Sequence, residues 1–293
     1  MNDQLLQIIR QRSAPMRPVA TEVSPRLKPL AGIRAVLFDI YGTMLISGSG
    51  EVGTASEIDL PNAVVETLKE LGVGTDQLSK PICLDSIIKR HHERSRAGGN
   101  ESPEVDILKV WHDTLAELAT TDQIPMHPDE LDLSRVAVEY ETRVNPVWPM
   151  PNLENCLDAF RGRVELGIVS NAQFFTPLLF PALMMRSLED LGFNRNMLYF
   201  SYNFGLAKPS DAMFKSAIDQ LGKNQISAAE TLYVGNDMLN DVATASRTGM
   251  KTALFAGDAR SLRLREEDPR ILGHSPNLVV TDLNQLPTCI LCN

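Results

Sequence analysis

Four short stretches of the chain end apolar runs in residues that can do chemistry. Ala35-Val-Leu-Phe-Asp39-Ile-Tyr41-Gly-Thr43 delivers one carboxylate onto a glycine turn, with a threonine just beyond. The run Val164 to Val169 stops at Ser170-Asn171, and Leu198 to Tyr202 is followed by Lys208-Pro209. Thr231 to Val234 stops at Gly235-Asn236-Asp237-Met-Leu-Asn-Asp241. A carboxylate can attack an electrophile and split one hard displacement into two easier ones. A fixed lysine offsets the charge of both nucleophile and anionic substrate. Asp237 and Asp241 are four apart where a helix begins, so they share one face of its first turn. Each stretch alone also has a plain reading: a capping Asp, a solvated loop lysine, acids favoured by a helix dipole.

What must position these groups is a parallel sheet. From Val164 onward strands alternate with helices at Phe174 to Leu191, Asp211 to Leu221 and Met238 to Thr248, and further strands follow at Lys251 to Phe255 and Asn277 to Thr281. Such alternation specifies a doubly wound, Rossmann-like α/β sheet with helices on both faces, whose strand exits share one edge. The first strand is cut off from the rest by a helical stretch. Ser47-Gly-Ser-Gly50, with Gly53 behind it, reads as a hinge, and from Pro61 to Tyr140 the apolar period is close to 3.6 without clear strands. Its three runs are Val64, Val65, Leu68 and Leu71; then Ile87, Ile88 and His91; then Ile107, Leu108, Trp111, Leu115 and Leu118. Asn145-Pro-Val-Trp-Pro-Met-Pro151 cannot continue a helix and reads as a second hinge, leading into a short helix from Leu153 to Arg161. The domains expected are an N-terminal arm at 1–30, an α/β core at 31–50 and 150–293, and an inserted α-helical cap at 51–149. The arm carries Pro15, Pro18, Pro25 and Pro29 around a short amphipathic piece at Leu5 to Ile9 and is expected to attach loosely, to the core or to a second subunit in a homodimer.

Bulk composition narrows the partners. At 293 residues and 43% hydrophobic content the chain can bury a substantial core. A net charge of −9 argues against nucleic acid, which is held by clustered Lys and Arg. No run of 18 apolar residues and no signal-peptide core appear, so no membrane partner and a cytoplasmic location are expected. Four cysteines, Cys83, Cys156, Cys289 and Cys292, are too few and scattered for a disulfide framework, and Cys289-Ile-Leu-Cys292 has no second such pair to complete a metal site.

In their order and placement the four stretches resemble the motifs of the haloacid dehalogenase-like hydrolase superfamily. The resemblance covers about 33–46 and 150–285, and the cap matches only in position and helical character. It implies a covalent aspartyl intermediate at Asp39, with Thr43 and Ser170 hydrogen-bonding the transferring oxygens and Lys208 supplying fixed positive charge. It further implies Mg²⁺ held by Asp39, the backbone carbonyl of Tyr41 and Asp237. Asp241 would orient the metal's waters or Lys208, and Asn236 would be a neutral oxygen ligand or stand behind the ligands.

Tyr41 departs from the pattern. Family phosphatases usually carry a second Asp there as acid to the leaving alkoxide, and a phenol of pKa about 10 is a poor substitute at neutral pH. Tyrosine at this place, and Ser170-Asn171, also resemble the 2-haloacid dehalogenases, from which halide departs unprotonated. Charge separates the two: Asp39, Asp237 and Asp241 against Lys208 leave about −2, which a divalent cation neutralises. Without a metal each carboxylate would repel a haloacid by roughly 4 kcal/mol at contact. The expectation is Mg²⁺-dependent hydrolysis of a small, anionic phosphorylated metabolite, with a good leaving group or an acid from the cap. The alternatives are a 2-haloacid dehalogenase and a low-turnover binding or regulatory protein. For substrate contacts the candidates are Ser170, Asn171 and, in the basic cap segment Lys89 to Arg96, His92 and Arg96 at a spacing of four; the plain reading of that segment is a solvated helix face.

Overall fold

The apolar run that ends at Asp39 forms the central strand β1 (Ala35–Phe38), all of it buried. In this computed structural model, which describes residues 2–50, 60–78 and 84–291, six strands make one parallel sheet. The others are β4 (Glu165–Ser170), β5 (Leu198–Phe200), β6 (Thr231–Gly235), β7 (Lys251–Phe255) and β8 (Leu278–Val280), in the order β5-β4-β1-β6-β7-β8. β1 is hydrogen-bonded on both sides, with Phe38 level with Ile168 and with Val234. The chain builds outward from β1 to one side, then crosses back to the other, which is the topology that leaves a crevice at the strand ends.

Alternation along β1 explains the layers. Val36 and Phe38 point into one apolar cluster with α1 (Asn2–Arg12), α6 (Leu153–Phe160), α7 (Thr176–Met184) and α11 (Gln285–Ile290). Ala35 and Leu37 point into the other, against Met213, Phe214, Ala217 and Leu221 of α9 (Ala212–Lys223). Two single helical turns complete the core, α8 (Ser201–Phe204) and α10 (Thr244–Arg247). The expected helices at Phe174 to Leu191 and Met238 to Thr248 are shorter or looser than their patterns. α7 carries Pro181 and ends where Met185 takes φ 57°, and Met238–Ala243 is a π-helical turn running into α10.

The inserted stretch is helical: α2 (Leu60–Glu70), α3 (Leu84–Ala97), α4 (Ile107–Thr120) and α5 (Leu133–Val144). It has its own apolar centre, where Trp111 meets Tyr140 edge to face at 5.1 Å. Asp106 and Asp132 cap α4 and α5 by accepting from their first free N–H groups. The two hinges are not separate: β2 (Leu45–Ser47) and β3 (Val147–Pro149) pair antiparallel, so the exit from the core and the return to it form one ribbon. Gly53, Cys83 and Cys292 lie outside the described residues.

The first residues differ from a loose arm. α1 buries Leu5, Ile8 and Ile9 and packs on both α5 of the cap and α7 of the core. Arg12 reaches the buried Glu139 of α5 at 2.5 Å, and Arg10 donates to the Ala182 and Pro181 carbonyls at the end of α7. The amphipathic piece thus finds its apolar partner within its own chain. A second cap-to-core contact lies at 102–104 and 205–207: Glu104 N donates to Gly205 O, and Ala207 N to Ser102 O. The Glu104 carboxylate accepts from Ser201 Oγ (2.5 Å) and Gln173 Nε2 (3.2 Å) of the core. Burial raises its pKa, against the pull of the Ser201 hydrogen bond. Among the described residues no helix is long and apolar enough to cross a membrane.

Candidate active site

The strand exits meet at one edge. Asp39, one residue past β1, is tied by its N–H to the Val234 carbonyl (2.9 Å), so its side chain is aimed along the sheet edge rather than into solvent. Lys208 Nζ, 3% exposed, donates to Asp39 Oδ1 (2.8 Å), Asp241 Oδ1 (2.6 Å) and the Tyr233 hydroxyl (3.1 Å). All three ammonium protons are spoken for. Burial alone would lower the lysine's pKa, but Asp241 and Asp39 raise it, so the cation is held charged. Asp241 is pushed up to about 6 by burial, with Lys208 opposing.

Around this triad the backbone is closely fitted. A Cβ on Gly235 would sit 2.3 Å from Asp241 Cγ, so only glycine lets that carboxylate fold back and accept from Asp237 N (2.9 Å). Gly42 has φ 77° and a Cβ there would strike Ser261 at 2.4 Å, which closes the loop after Asp39 onto the segment beyond β7. Asn171 Oδ1 accepts from Lys208 N (2.7 Å) and so fixes the lysine's backbone. Tyr233 donates to the Val169 carbonyl (2.7 Å), which orients its oxygen toward Lys208.

A cavity of about 110 Å³ opens onto Asp39, lined also by Tyr41, Asn171, Lys208, Asn236, Asp237 and Asp241. Gly50 and Asn240, which the motifs do not single out, line it too. The remaining expected residues have other employment. Thr43 is fully buried and donates to Asn236 Oδ1 (3.0 Å), while Asn236 Nδ2 donates to Ser261 O (2.5 Å). The Asn236 amide therefore joins the first and fourth motifs to the 258–265 loop. Ser170 is fully buried at the end of β4, with its hydroxyl on the Asn171 carbonyl (3.2 Å). His92 and Arg96 lie on α3 of the cap and are not brought to the cavity wall.

Tyr41 turns away from the chemistry. Its hydroxyl sits 3.0 Å from Thr176 Oγ1 in the core cluster, and burial, helped by the charge of Glu141, raises its pKa. A phenol so placed gives up its proton even less readily than in water.

The motifs missed Arg265. After β7 the chain runs back beside the fourth motif, with Arg263 N on Asn236 O (3.0 Å) and Met238 N on Arg263 O (2.9 Å). This register sets the Arg265 guanidinium on Asp237: Nη2 is 2.6 Å and Nε 3.1 Å from Oδ2. With Arg265 counted, the excess negative charge of the site falls from about −2 to about −1. Among the described residues no three His, Cys, Asp or Glu side chains converge to hold an ion. The donors that the resemblance implies for a cation, the carboxylates of Asp39 and Asp237 and the Tyr41 carbonyl, are all hard oxygens of residues that line this one cavity. One or two carboxylates plus waters are what Mg²⁺ usually takes, so the set fits that ion.

The chain has recognisable relatives. Residues 205–286 match the HAD-hydrolase-like family model. The chain is 29% identical over 146 residues to the pyrimidine 5'-nucleotidase YjjG of Escherichia coli K12, a match covering 49% of this chain and 57% of the relative's length. A 2-haloacid dehalogenase from Pseudomonas syringae pv. tomato DC3000 superposes with a TM-score of 0.59 at 19% identity, covering 88% of this chain and 97% of the other. A HAD phosphatase from Thermococcus onnurineus gives 0.49, also at 19% identity, over 87% and 97%. At such identities the structural likeness is one of fold. A parallel sheet with four motif groups at its carboxyl edge and a helical insert after the first strand, together with the family-model match over 205–286, agrees with the resemblance to the haloacid dehalogenase-like hydrolase superfamily read from the sequence.

Proposed function

We propose that the protein is a Mg²⁺-dependent phosphohydrolase that uses Asp39 as nucleophile. The observation that carries this reading is the shared grip of Lys208 on Asp39 and Asp241, with Asp237 on the same cavity: three carboxylates against Lys208 and Arg265 leave the site net negative, which suits a phosphoryl group with its metal better than a bare carboxylate substrate. Lys208 takes Asp39 Oδ1, and Oδ2 accepts no hydrogen bond from the described residues. Oδ2 attacks phosphorus, the bond to the leaving oxygen breaks, and the phosphoryl group is carried on Asp39 until water attacks phosphorus and releases phosphate. Mg²⁺, held by Asp39, Asp237 and the Tyr41 carbonyl, would supply charge neutralisation for the phosphoryl oxygens.

No acid stands ready for the leaving group. Tyr41 is bonded to Thr176 inside the core, and among the described residues the cap places no carboxylic acid or histidine on the cavity wall. The leaving groups favoured are therefore weakly basic ones, as in acyl phosphates, anhydrides and aryl phosphates. The same observation keeps one second reading, 2-haloacid dehalogenation, because halide needs no proton. Both are separated by measuring phosphate and halide release with Mg²⁺ and with EDTA, alongside Asp39→Asn. Phosphate release that requires Mg²⁺ and Asp39 supports the proposal; halide release in EDTA without phosphatase activity refutes it.

A further inference from the structure

We propose that Arg265 is the resident counter-cation of the metal subsite: its guanidinium holds Asp237 until a divalent cation binds, and it must leave Oδ2 for that ion to bind. The inference rests on the metal-dependent reading above and adds a competitor to it.

The two oxygens of Asp237 are not equivalent. Oδ1 accepts from Leu239 N (2.8 Å) and Asn240 N (3.1 Å), with Arg265 Nε at a longer 3.4 Å, so the backbone anchors it. Oδ2 is left for outside partners. Arg265 takes it with two N–H groups, joined by Asn240 Nδ2 at 3.1 Å. A metal ion seeking the same oxygen meets a bidentate, charge-assisted pair.

The cations of the site also differ in burial. Lys208 is 3% exposed and bound on three sides, so it stays. The Arg265 side chain is 34% exposed where it meets Asp237. Its backbone is nonetheless firmly set, with φ at 53°, a left-handed conformation that a residue with a side chain adopts only when its surroundings impose it. The surroundings here are the parallel bridge between Asp237 and Arg263.

Mn²⁺ binding to the purified full-length protein, followed by electron paramagnetic resonance or calorimetry, tests this without reference to turnover. Arg265→Gln should tighten Mn²⁺ binding about tenfold, the worth of a hydrogen-bonded charge pair that no longer has to be broken. Arg265→Lys keeps the charge without the fork and should tighten it less. A merely structural role predicts the opposite, since a loosened Asp237 would bind the ion more weakly. Equal or weaker affinity in both variants overturns the competition while leaving the metal reading intact. No binding to wild type or to either variant overturns both. Binding that survives Asp237→Asn in the Arg265→Gln background places the ion elsewhere and overturns the proposal as well.

Discussion

Replacing Lys208 by methionine isolates the electrostatics of the site from its chemistry. Methionine fills much the same volume, so the loss is of charge and of three hydrogen bonds, to Asp39, Asp241 and Tyr233. Two nearly buried carboxylates are then left facing each other, and removing one partner of such an ion pair costs about 3–5 kcal/mol. For a chain of this size each kcal/mol moves the melting temperature by about 2–4 °C, so Lys208→Met should lower it by roughly 10 °C in EDTA. Calorimetric melts are the assay. Asp241→Asn added to Lys208→Met removes one of the unpaired charges and should restore part of the loss, although Asp241→Asn alone destabilises; the coupling should exceed about 1 kcal/mol. A Lys208→Met melt within about 2 °C of wild type, or strictly additive effects, would refute the view that this lysine neutralises two carboxylates at once.

Tyr41→Phe deletes the hydrogen bond to Thr176 and should cost about 1 kcal/mol in a thermal melt while leaving kcat unchanged; a fall of more than about tenfold would restore Tyr41 as a proton donor. Glu104 has a pKa raised above its ordinary 4.5 by burial, so the folded state binds its proton more tightly than the unfolded state. Stability from this group is fully present below about 4.5 and is lost as pH rises through the folded pKa. Glu104→Gln should therefore flatten the decline seen above 4.5 in denaturation curves, and an unaltered pH profile would remove Glu104 from the account. Ile9 is fully buried between cap and core, and Ile9→Ala should cost about 2–5 kcal/mol in urea unfolding; a surface-like effect below about 0.5 kcal/mol would mean that α1 is not docked.

The sheet and the motif residues at its strand ends are legible because both are written locally. An apolar run ending in Asp39 needs no distant information to read as a central strand, and the cap helix α4 shows its face in Leu108, Trp111, Leu115 and Leu118. What escaped depends on pairings remote in the chain. β2 and β3 are three residues each, and β3 ends in Pro149, so neither has a pattern of its own. The apolar side of α1 was visible at Leu5 to Ile9, but its partners on α5 and α7 were not. Arg265 did leave a signal. It lies in Leu262-Arg263-Leu264-Arg265, ten residues past the end of β7, and that strand exit points at the same edge as the four that were read. Asn171 lines the cavity, and its amide oxygen accepts from Lys208's backbone N–H, a contact that only coordinates reveal.

The β2 and β3 ribbon has a meaning for how such a chain can be rebuilt. Ser47 stands directly opposite Val147, so the path leaves the core and re-enters it across a single strand spacing. In topological terms the whole helical insert is the tip of a hairpin whose stem is β2 and β3, while Glu104 and α1 tie that tip to the core at two further places. Closing that stem with a short turn would keep the order of the sheet, but it would strip α1 of its contact with α5 and Ser201 of its contact with Glu104. The chain passes between the two parts along a stem three residue pairs long, and the rest of their union is packing that any replacement insert would have to supply.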